Sequence, residues 1–554
     1  MTRTWSARAA SLLSAVTAAT APSAALFRAA LQDPRRAQHT RLLAVVAAVQ
    51  GTRTAQKHAG LARVRSAREL QDELPLIRFD DVSDDVEDLK RGVGRVLTSA
   101  PVTRFERTGG SSGPSKDVPY TRALSADVQR ALLPWVHDVL LGRPQTRRGA
   151  LYWSISPQAR GVAHTTQGVQ IGSDDDADWF PRPLARALGA VFAVPAQVAR
   201  LPDIESCRYA TLRLLCARPD LRMISVWSPT FLSLLLDDLQ RHGERLLADV
   251  AAGTCRPPGA SADVLAMCAA LPLAASPGLA RHLALALAAG PLAARSLWPR
   301  LALVSMWTDG NAAHFVDDVV RRLPGVEIQG KGLIATEGVV SVPMLNAPAP
   351  VLAVRSHFYE FIDVEQPDQR PALAHELDSG RTYEVVFSTG GGLLRYRVGD
   401  LVRVDGFFAQ TPCLRFVGRA DDVSDVVGEK LSAEHVRTVL GVALRGVDVR
   451  FRLLAPELGP PPRYTLFLEA DLGDDALAGC ALRAEEMLMG SFHYRYAREL
   501  GQLAPLRSQR VVDGVRAFEA RRTALGQRAG DIKPTLLDRD LGWADRFAAH
   551  EARS

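Results

Sequence analysis

Between residues 120 and 300, long Ala- and Leu-rich runs alternate with short β-type runs, and this alternation constrains the fold most. Met223-Ile224-Ser225-Val226-Trp227 is one such run, and Leu301-Ala302-Leu303-Val304-Ser305 and Val351-Leu352-Ala353-Val354 are further buried-strand candidates. Helices alternating with strands predict α/β layering with mixed sheets. Residues 1–75 read as helical, with apolar positions such as Leu42, Leu43, Val45, Val46 and Val49. A chain of 554 residues is too long for one ordinary core. A boundary is expected near Gly418, giving domains 1–417 and 418–554. Past it, a helix (Ser432 to Leu440), two strands (Arg450 to Leu454, Tyr464 to Glu469) and a second helix (Ala476 to Met489) predict a small α+β unit of about 135 residues. The fold class is therefore α/β, a large N-terminal domain followed by a small, mobile α+β domain.

Charge and cysteine usage narrow the function classes. The chain carries 67 basic and 61 acidic residues, a net +6. The arginines are scattered among acidic residues, which speaks against nucleic acid and suits anionic small substrates. Six cysteines without a CxxC pair point to a reducing, cytoplasmic setting and give no zinc pattern. The run Ala9 to Ala25 is broken by Ser11, Ser14, Thr17, Thr20 and Pro22, so an amphipathic helix is expected there rather than a signal peptide. Leu283 to Ala294 is too short to span a bilayer. No membrane role is expected.

Four separated stretches carry the chemistry. Thr108 to Lys116 (Thr-Gly-Gly-Ser-Ser-Gly-Pro-Ser-Lys) packs glycines and hydroxyls around a lysine. Small residues let backbone amides approach phosphate oxygens, and the lysine adds charge. The loop lacks the GK[ST] ending of a Walker loop, and by itself such a loop is more often a flexible turn than a nucleotide site. Glu337 follows the apolar run Gly332-Leu333-Ile334-Ala335, where a strand would deliver it to a sheet edge. Asp400 ends Tyr396-Arg397-Val398-Gly399-Asp400, which reads as a ribose-binding carboxylate or a simple turn. Arg397 is a phosphate contact or a salt-bridge partner. The fourth stretch is Gly418-Arg419-Ala420-Asp421-Asp422 with Gly428 and Lys430. His137, His164, His314, His357, His435 and His493 are isolated and read as core or helix-face residues.

The loop Thr108 to Lys116, followed by Asp117-Val118-Pro119-Tyr120-Thr121, resembles the phosphate loop of adenylate-forming enzymes, T-S-G-T-T-G-x-P-K with x-x-P-Y-T after it. The chain most resembles the auxin-responsive Gretchen Hagen family of acyl acid–amido synthetases. The likeness continues through Leu-Trp-Pro at 297–299, Val-Ser-Met-Trp-Thr-Asp-Gly at 304–310, Arg395 to Val402, Tyr494-Arg495-Tyr496-Ala497-Arg498 and Pro505-Leu506-Arg507. Gly109, Ser111, Ser112 and Ser115 depart from the usual loop but stay small or hydroxylic.

The resemblance implies an ATP- and Mg²⁺-dependent ligase that adenylates a carboxylic acid and passes the acyl group to an amine, an amino acid being the expected class. Thr108, Gly110, Ser111, Ser112, Gly113 and Lys116 would hold phosphates, with Ala335 beside the nucleotide and Thr336 at the α-phosphate. Glu337 would hold the metal, Asp400 the ribose, and Arg419 ribose or phosphate. Asp421 would be the hinge of the C-terminal domain. Lys533 would neutralise the substrate carboxylate and α-phosphate as they meet. Tyr209, Leu212 and Trp227, between phosphate loop and metal strand, are expected to line the acyl pocket. A thioester ligase with coenzyme A or a carrier thiol, or a non-catalytic nucleotide-binding regulator, are the rivals. A monomer or weak homodimer is expected.

Overall fold

The computed structural model describes residues 2–107, 116–154, 163–172, 179–288, 294–420, 423–424, 426–427, 429, 431–459, 461–499, 501–527 and 529–552. The chain opens with the helix Thr2–Leu31. Leu13, Val16, Thr20, Ala24, Phe27 and Leu31 recur every three or four residues along it and are all buried, the periodicity of one helical face. That face lies along the helix Arg122–Gly142, where His137 Nδ1 sits 2.9 Å from the Thr17 carbonyl. By length and composition alone, Ala7–Leu31 could also cross a membrane.

Two sheets position the site. A parallel sheet orders Ala150–Trp153, Leu221–Ser225, Leu303–Met306 and Glu327–Gly330 side by side. One of its faces carries Leu151, Met223 and Leu303 into a core shared with Arg122–Gly142. The other carries Tyr152, Ile224 and Val304 into a core of helices such as Ile204–Cys216 and Pro229–Arg241. This alternation is the period-two signal of strands buried on both faces. The second sheet has seven strands, and its long pair is Tyr396–Phe408 beside Thr411–Arg419.

Asp400 lies within a strand, not at a turn. Between the pairs Val386–Arg397 and Glu384–Leu401, residues Val398, Gly399 and Asp400 stand opposite Val385 alone. The extra length is taken up at Gly399, whose φ of +82° a side chain would resist. Such bulges re-aim side chains. Here Asp400 is turned to face Arg419 on the next strand.

Beyond Arg419 the core changes. Two clusters, Leu431 to Leu537 and Phe451 to Phe547, contain only residues past 430. Helix Ala433–Ala443 begins where the Ser432 hydroxyl accepts from the His435 amide, an N-cap. Strands Val449–Glu457 and Arg463–Ala470 pair antiparallel, and helix Asp474–Leu488 follows. The result is an α/β molecule with a small α+β C-terminal unit, as the sequence predicts.

The two parts meet across charge. Arg208, on Ile204–Cys216, pairs with Asp238 at 3.1 Å and with Glu519 at 2.6 Å. Arg516 pairs with Asp238 from the helix Gly514–Ala524, which also carries Glu519. Arg208, Asp238 and Glu519 are all buried.

Candidate active site

Glu337 is delivered by a hairpin turn, a correction to the expected strand end. Ile334–Ala335 pairs with Gly338–Val339, which leaves Thr336 and Glu337 at the tip. The hairpin is pinned from below, where the Val339 amide donates to His357 Nε2 at 3.2 Å. A Cβ on Gly338 would lie 2.5 Å from that nitrogen, so only glycine fits. Burial pushes the His357 imidazole down to about 3 and keeps it a neutral acceptor. It is also pinned from the side: the Tyr120 hydroxyl donates to the Thr336 carbonyl at 2.8 Å. Tyr120 belongs to the strand Asp117–Thr121, which directly follows Lys116.

Around this tip the predicted nucleotide residues gather. Tyr396 donates its hydroxyl to Glu337 at 3.2 Å. Asp400 pairs with Arg419 at 3.0 Å, and Arg419 also donates to the Val398 carbonyl. Burial pushes the Glu337 carboxyl up from its ordinary value; the Asp400 charge pushes it the same way, while Arg419 and Lys116 oppose. Lys116, Glu337, Asp400 and Arg419 therefore share one electrostatic neighbourhood. Arg397 does not join them, because its guanidinium is bound to Glu384. Of its two sequence readings, the salt bridge holds.

Lys533 stands elsewhere, exposed, its ammonium 5.7 Å from the Trp307 ring. Trp307 packs on Trp227 with centroids 5.6 Å apart. The expected acyl trio is not assembled: Tyr209 and Leu212 are buried in the helical core, where the Tyr209 hydroxyl donates to Asp249 at 2.8 Å. Tyr209 and Leu212 sit on an Ile204–Cys216 helix whose residues from Ser206 to Cys216 are all buried, which directs them into packing. Trp227 instead faces Lys331. Thr108, Gly110, Ser111, Ser112, Gly113 and Asp421 lie outside the described residues.

Sequence reasoning missed Lys331. It follows the last parallel strand and is 1% exposed, with Trp135, Trp153 and Trp227 rings around its ammonium at 5.1, 5.0 and 4.8 Å. The signal available was a lysine between Gly330 and Gly332, directly after the short run Val326-Glu327-Ile328-Gln329.

The Asp400 carboxylate gives a direct test. Asp400→Ala is expected to weaken ATP binding by about 1.5–3 kcal/mol, the scale of hydrogen bonds to a charged group. Titration calorimetry with a non-hydrolysable ATP analogue reads this. An unchanged affinity removes Asp400 from the site.

Comparison with known proteins places the chain. Residues 24–328 match the GH3 family N-terminal domain and residues 350–419 the GH3 family central domain. Probable indole-3-acetic acid-amido synthetase GH3.6 of Oryza sativa subsp. japonica is 28% identical over 209 residues, covering 35% of this chain and 41% of the relative. Against that relative the chain spans less than half its length. Indole-3-acetic acid-amido synthetase GH3.3 of Arabidopsis thaliana is 21% identical over 490 residues, covering 83% of this chain and 82% of the relative. The AtGH3.15 acyl acid amido synthetase, solved in complex with 2,4-DB, has the same fold, with a TM-score of 0.81 at 17% identity over 96% of each chain. Since the N-terminal family domain alone accounts for more than half of its residues, the chain belongs to the GH3 family.

Proposed function

We propose that this protein is an ATP-dependent acyl acid–amido synthetase: it adenylates a carboxylic acid and transfers the acyl group to the amine of an amino acid. The observation that carries this is the gathering of Lys116, Asp400 and Arg419 around the Thr336–Glu337 hairpin tip. The amido synthetases among its relatives support the choice of an amide product. In the first half-reaction a carboxylate oxygen attacks the α-phosphorus of ATP and pyrophosphate leaves. In the second, a neutral amine attacks the acyl carbon and AMP leaves.

The chain's residues divide this work. Asp400 accepts from the ribose hydroxyls and Arg419, its partner, holds it for that task. Thr336 and Ala335, fixed by the Tyr120 hydrogen bond, border the α-phosphate, and Lys116 meets the outer phosphates. Lys533 brings charge to the meeting of two anions. Among the described residues no three His, Cys, Asp or Glu side chains converge. The single carboxylate at the hairpin tip suits magnesium, which keeps waters and phosphate oxygens and takes one or two carboxylates. Glu337 would hold it, with the bound ion neutralising phosphate charge. The six cysteines are free and buried, which supports a reducing, cytoplasmic setting.

Pyrophosphate release with a panel of acids tests the first half-reaction, and mass spectrometry with added amino acids identifies the product. A thioester formed with coenzyme A and no amide would overturn this reading.

Glu337 makes the metal assignment testable without turnover. Its pKa is raised by burial, so its contribution to stability is fully present below the ordinary glutamate range and is lost as pH rises through the raised value. A cation on the carboxylate offsets that loss. Magnesium with ATP is therefore expected to raise Tm more at about pH 8 than at about pH 5, where protons compete for the carboxylate. Glu337→Gln should erase the part of this difference that belongs to Glu337. The same pH-dependent increment in that variant would exclude Glu337 as the ligand.

A further inference from the structure

The parallel sheet changes character along one face. Trp153, Ser225, Ser305 and Gln329 are in register across its four strands. Paired residues of parallel strands point to the same side, the side whose earlier positions are Leu151, Met223 and Leu303 in the apolar core. At the carboxyl end that face turns to tryptophan, hydroxyl and amide, and Lys331 completes it two residues past Gln329. The Lys331 ammonium donates to the Ser225 hydroxyl at 2.6 Å among three indole rings. Trp135 donates its indole N–H to Gln329 at 3.1 Å, which fixes one wall. On the same face the buried hydroxyl of Ser305 has no hydrogen-bond partner among the described residues.

An ammonium placed where leucines would pack is costly to bury. Three tryptophan faces hold it by cation–π attraction, but they leave the Ser305 hydroxyl unexplained. In open α/β sheets, ligands bind outside the carboxyl ends of the strands, and this row lies there. Its far side is marked too, since Trp227 packs on Trp307 and Lys533 stands over Trp307.

We propose that the Lys331–tryptophan cluster recognises the remote end of the acyl acid, selecting flat aromatic acids that carry a second oxygen anion or acceptor away from the reacting carboxyl. This rests on the acid-adenylating reading above. Tryptophan edges and faces receive a planar ring. The ammonium gives a charge-assisted hydrogen bond to the distal oxygen, and the Ser305 hydroxyl satisfies its own bonding on the same group. An acid ending in a methyl group leaves that hydroxyl buried and unpaired, and a site of this kind rejects such analogues. Lys331 is a specificity-determining residue, and the reacting carboxyl lies toward Lys533.

The test uses para-substituted benzoates and phenylpropanoates, each as the carboxylate, the hydroxyl and the methyl compound. ATP-dependent pyrophosphate release gives kcat/KM, and quenching of tryptophan emission gives binding without ATP. The wild type is expected to prefer the oxygen-bearing acids by about 10–100-fold, the range set by a hydrogen bond to a charged group. In Lys331→Met that ratio should fall towards one. Should Lys331→Met fail to fold, Ser305→Ala is expected to lower the same ratio several-fold, and the wild-type ratio needs no variant. Wild-type preference for the methyl compounds overturns the proposal, as does a ratio that persists in a folded Lys331→Met. Pyrophosphate release blind to Lys331 sinks the subsite and leaves the adenylation reading standing. Quenching that needs both the distal oxygen and Lys331, with no pyrophosphate from any acid, upholds the subsite and sinks the adenylation reading.

Discussion

Lys533→Ala is expected to slow ATP-driven amide formation by about 10²–10³, the effect of removing one preorganised charge-stabilising donor, while leaving the second half-reaction near its wild-type rate. The reason is electrostatic. A carboxylate and the α-phosphate are both anionic, and a cation between them matters only while both charges face each other. Once acyl-AMP exists, the carboxylate has become an ester-like carbonyl and that repulsion is gone. Lys533 is exposed, its ammonium 5.7 Å from the Trp307 ring, and among the described residues no carboxylate pairs with it, so its removal leaves no buried partner behind among them. Chemically prepared acyl-AMP and the amine measure the second step alone. Equal losses in both steps would give Lys533 a structural role, and no loss in either would make it an ordinary surface lysine.

Arg208→Met is expected to destabilise the protein by about 3–5 kcal/mol, the cost of removing one partner from a buried ionic cluster. Methionine roughly keeps the volume of the buried stem, so the loss reports charge more than packing. It would leave Glu519 and Asp238 buried near each other with Arg516 as the remaining paired cation among the described residues. Burial already pushes the Glu519 carboxyl up, and Arg208 is the strongest influence holding it down. In the variant that restraint is gone and the carboxyl rises further. Its stability is then lost as pH climbs through the raised value, so the deficit should shrink on acidification. Urea unfolding at about pH 7 and about pH 5 tests both parts. A deficit of equal size at both pH values would assign the loss to packing.

Local signals carried much of the fold. Ser432 is a capping residue ahead of an apolar-periodic run, and the helix begins at Ala433. The runs Met223 to Trp227 and Leu301 to Ser305 became the strands Leu221–Ser225 and Leu303–Met306, because β-branched and apolar residues fit a sheet buried on both faces. The site was less legible wherever distant residues decide the outcome. Gly399-Asp400 has ordinary turn chemistry, and only the register against Thr382–Ser388 on one side and Thr411–Arg419 on the other makes it a bulge. Glu337 follows an apolar run, but the strand it ends is two residues long and folds back at once. Tyr209 and Trp227 look equally fit for a pocket, and helix orientation alone sends one to Asp249. The cage of Lys331 draws on Trp135, Trp153 and Trp227 from three separate elements, a coincidence that no spacing rule anticipates.

The charged joint between the two parts has an arithmetic of its own. Arg208 and Asp238 lie on one side of it, Glu519 and Arg516 on the other. Each side of this buried cluster sums to zero, whereas at its rim Arg241 and Arg321 face Asp513 and Asp448 across the joint at 3.6 and 3.3 Å. Were a rotation to part the joint, the buried cluster would strand no monopole: Arg208 keeps Asp238, and Arg516 and Glu519 sit three residues apart on one helix, where a pair can close. Dissolved ions would gain little grip on the buried cluster but would screen the exposed rim pairs, so any equilibrium between orientations should move towards the parted form as ionic strength rises. The same arrangement makes reclosure selective, since all four charges find partners again in only one alignment.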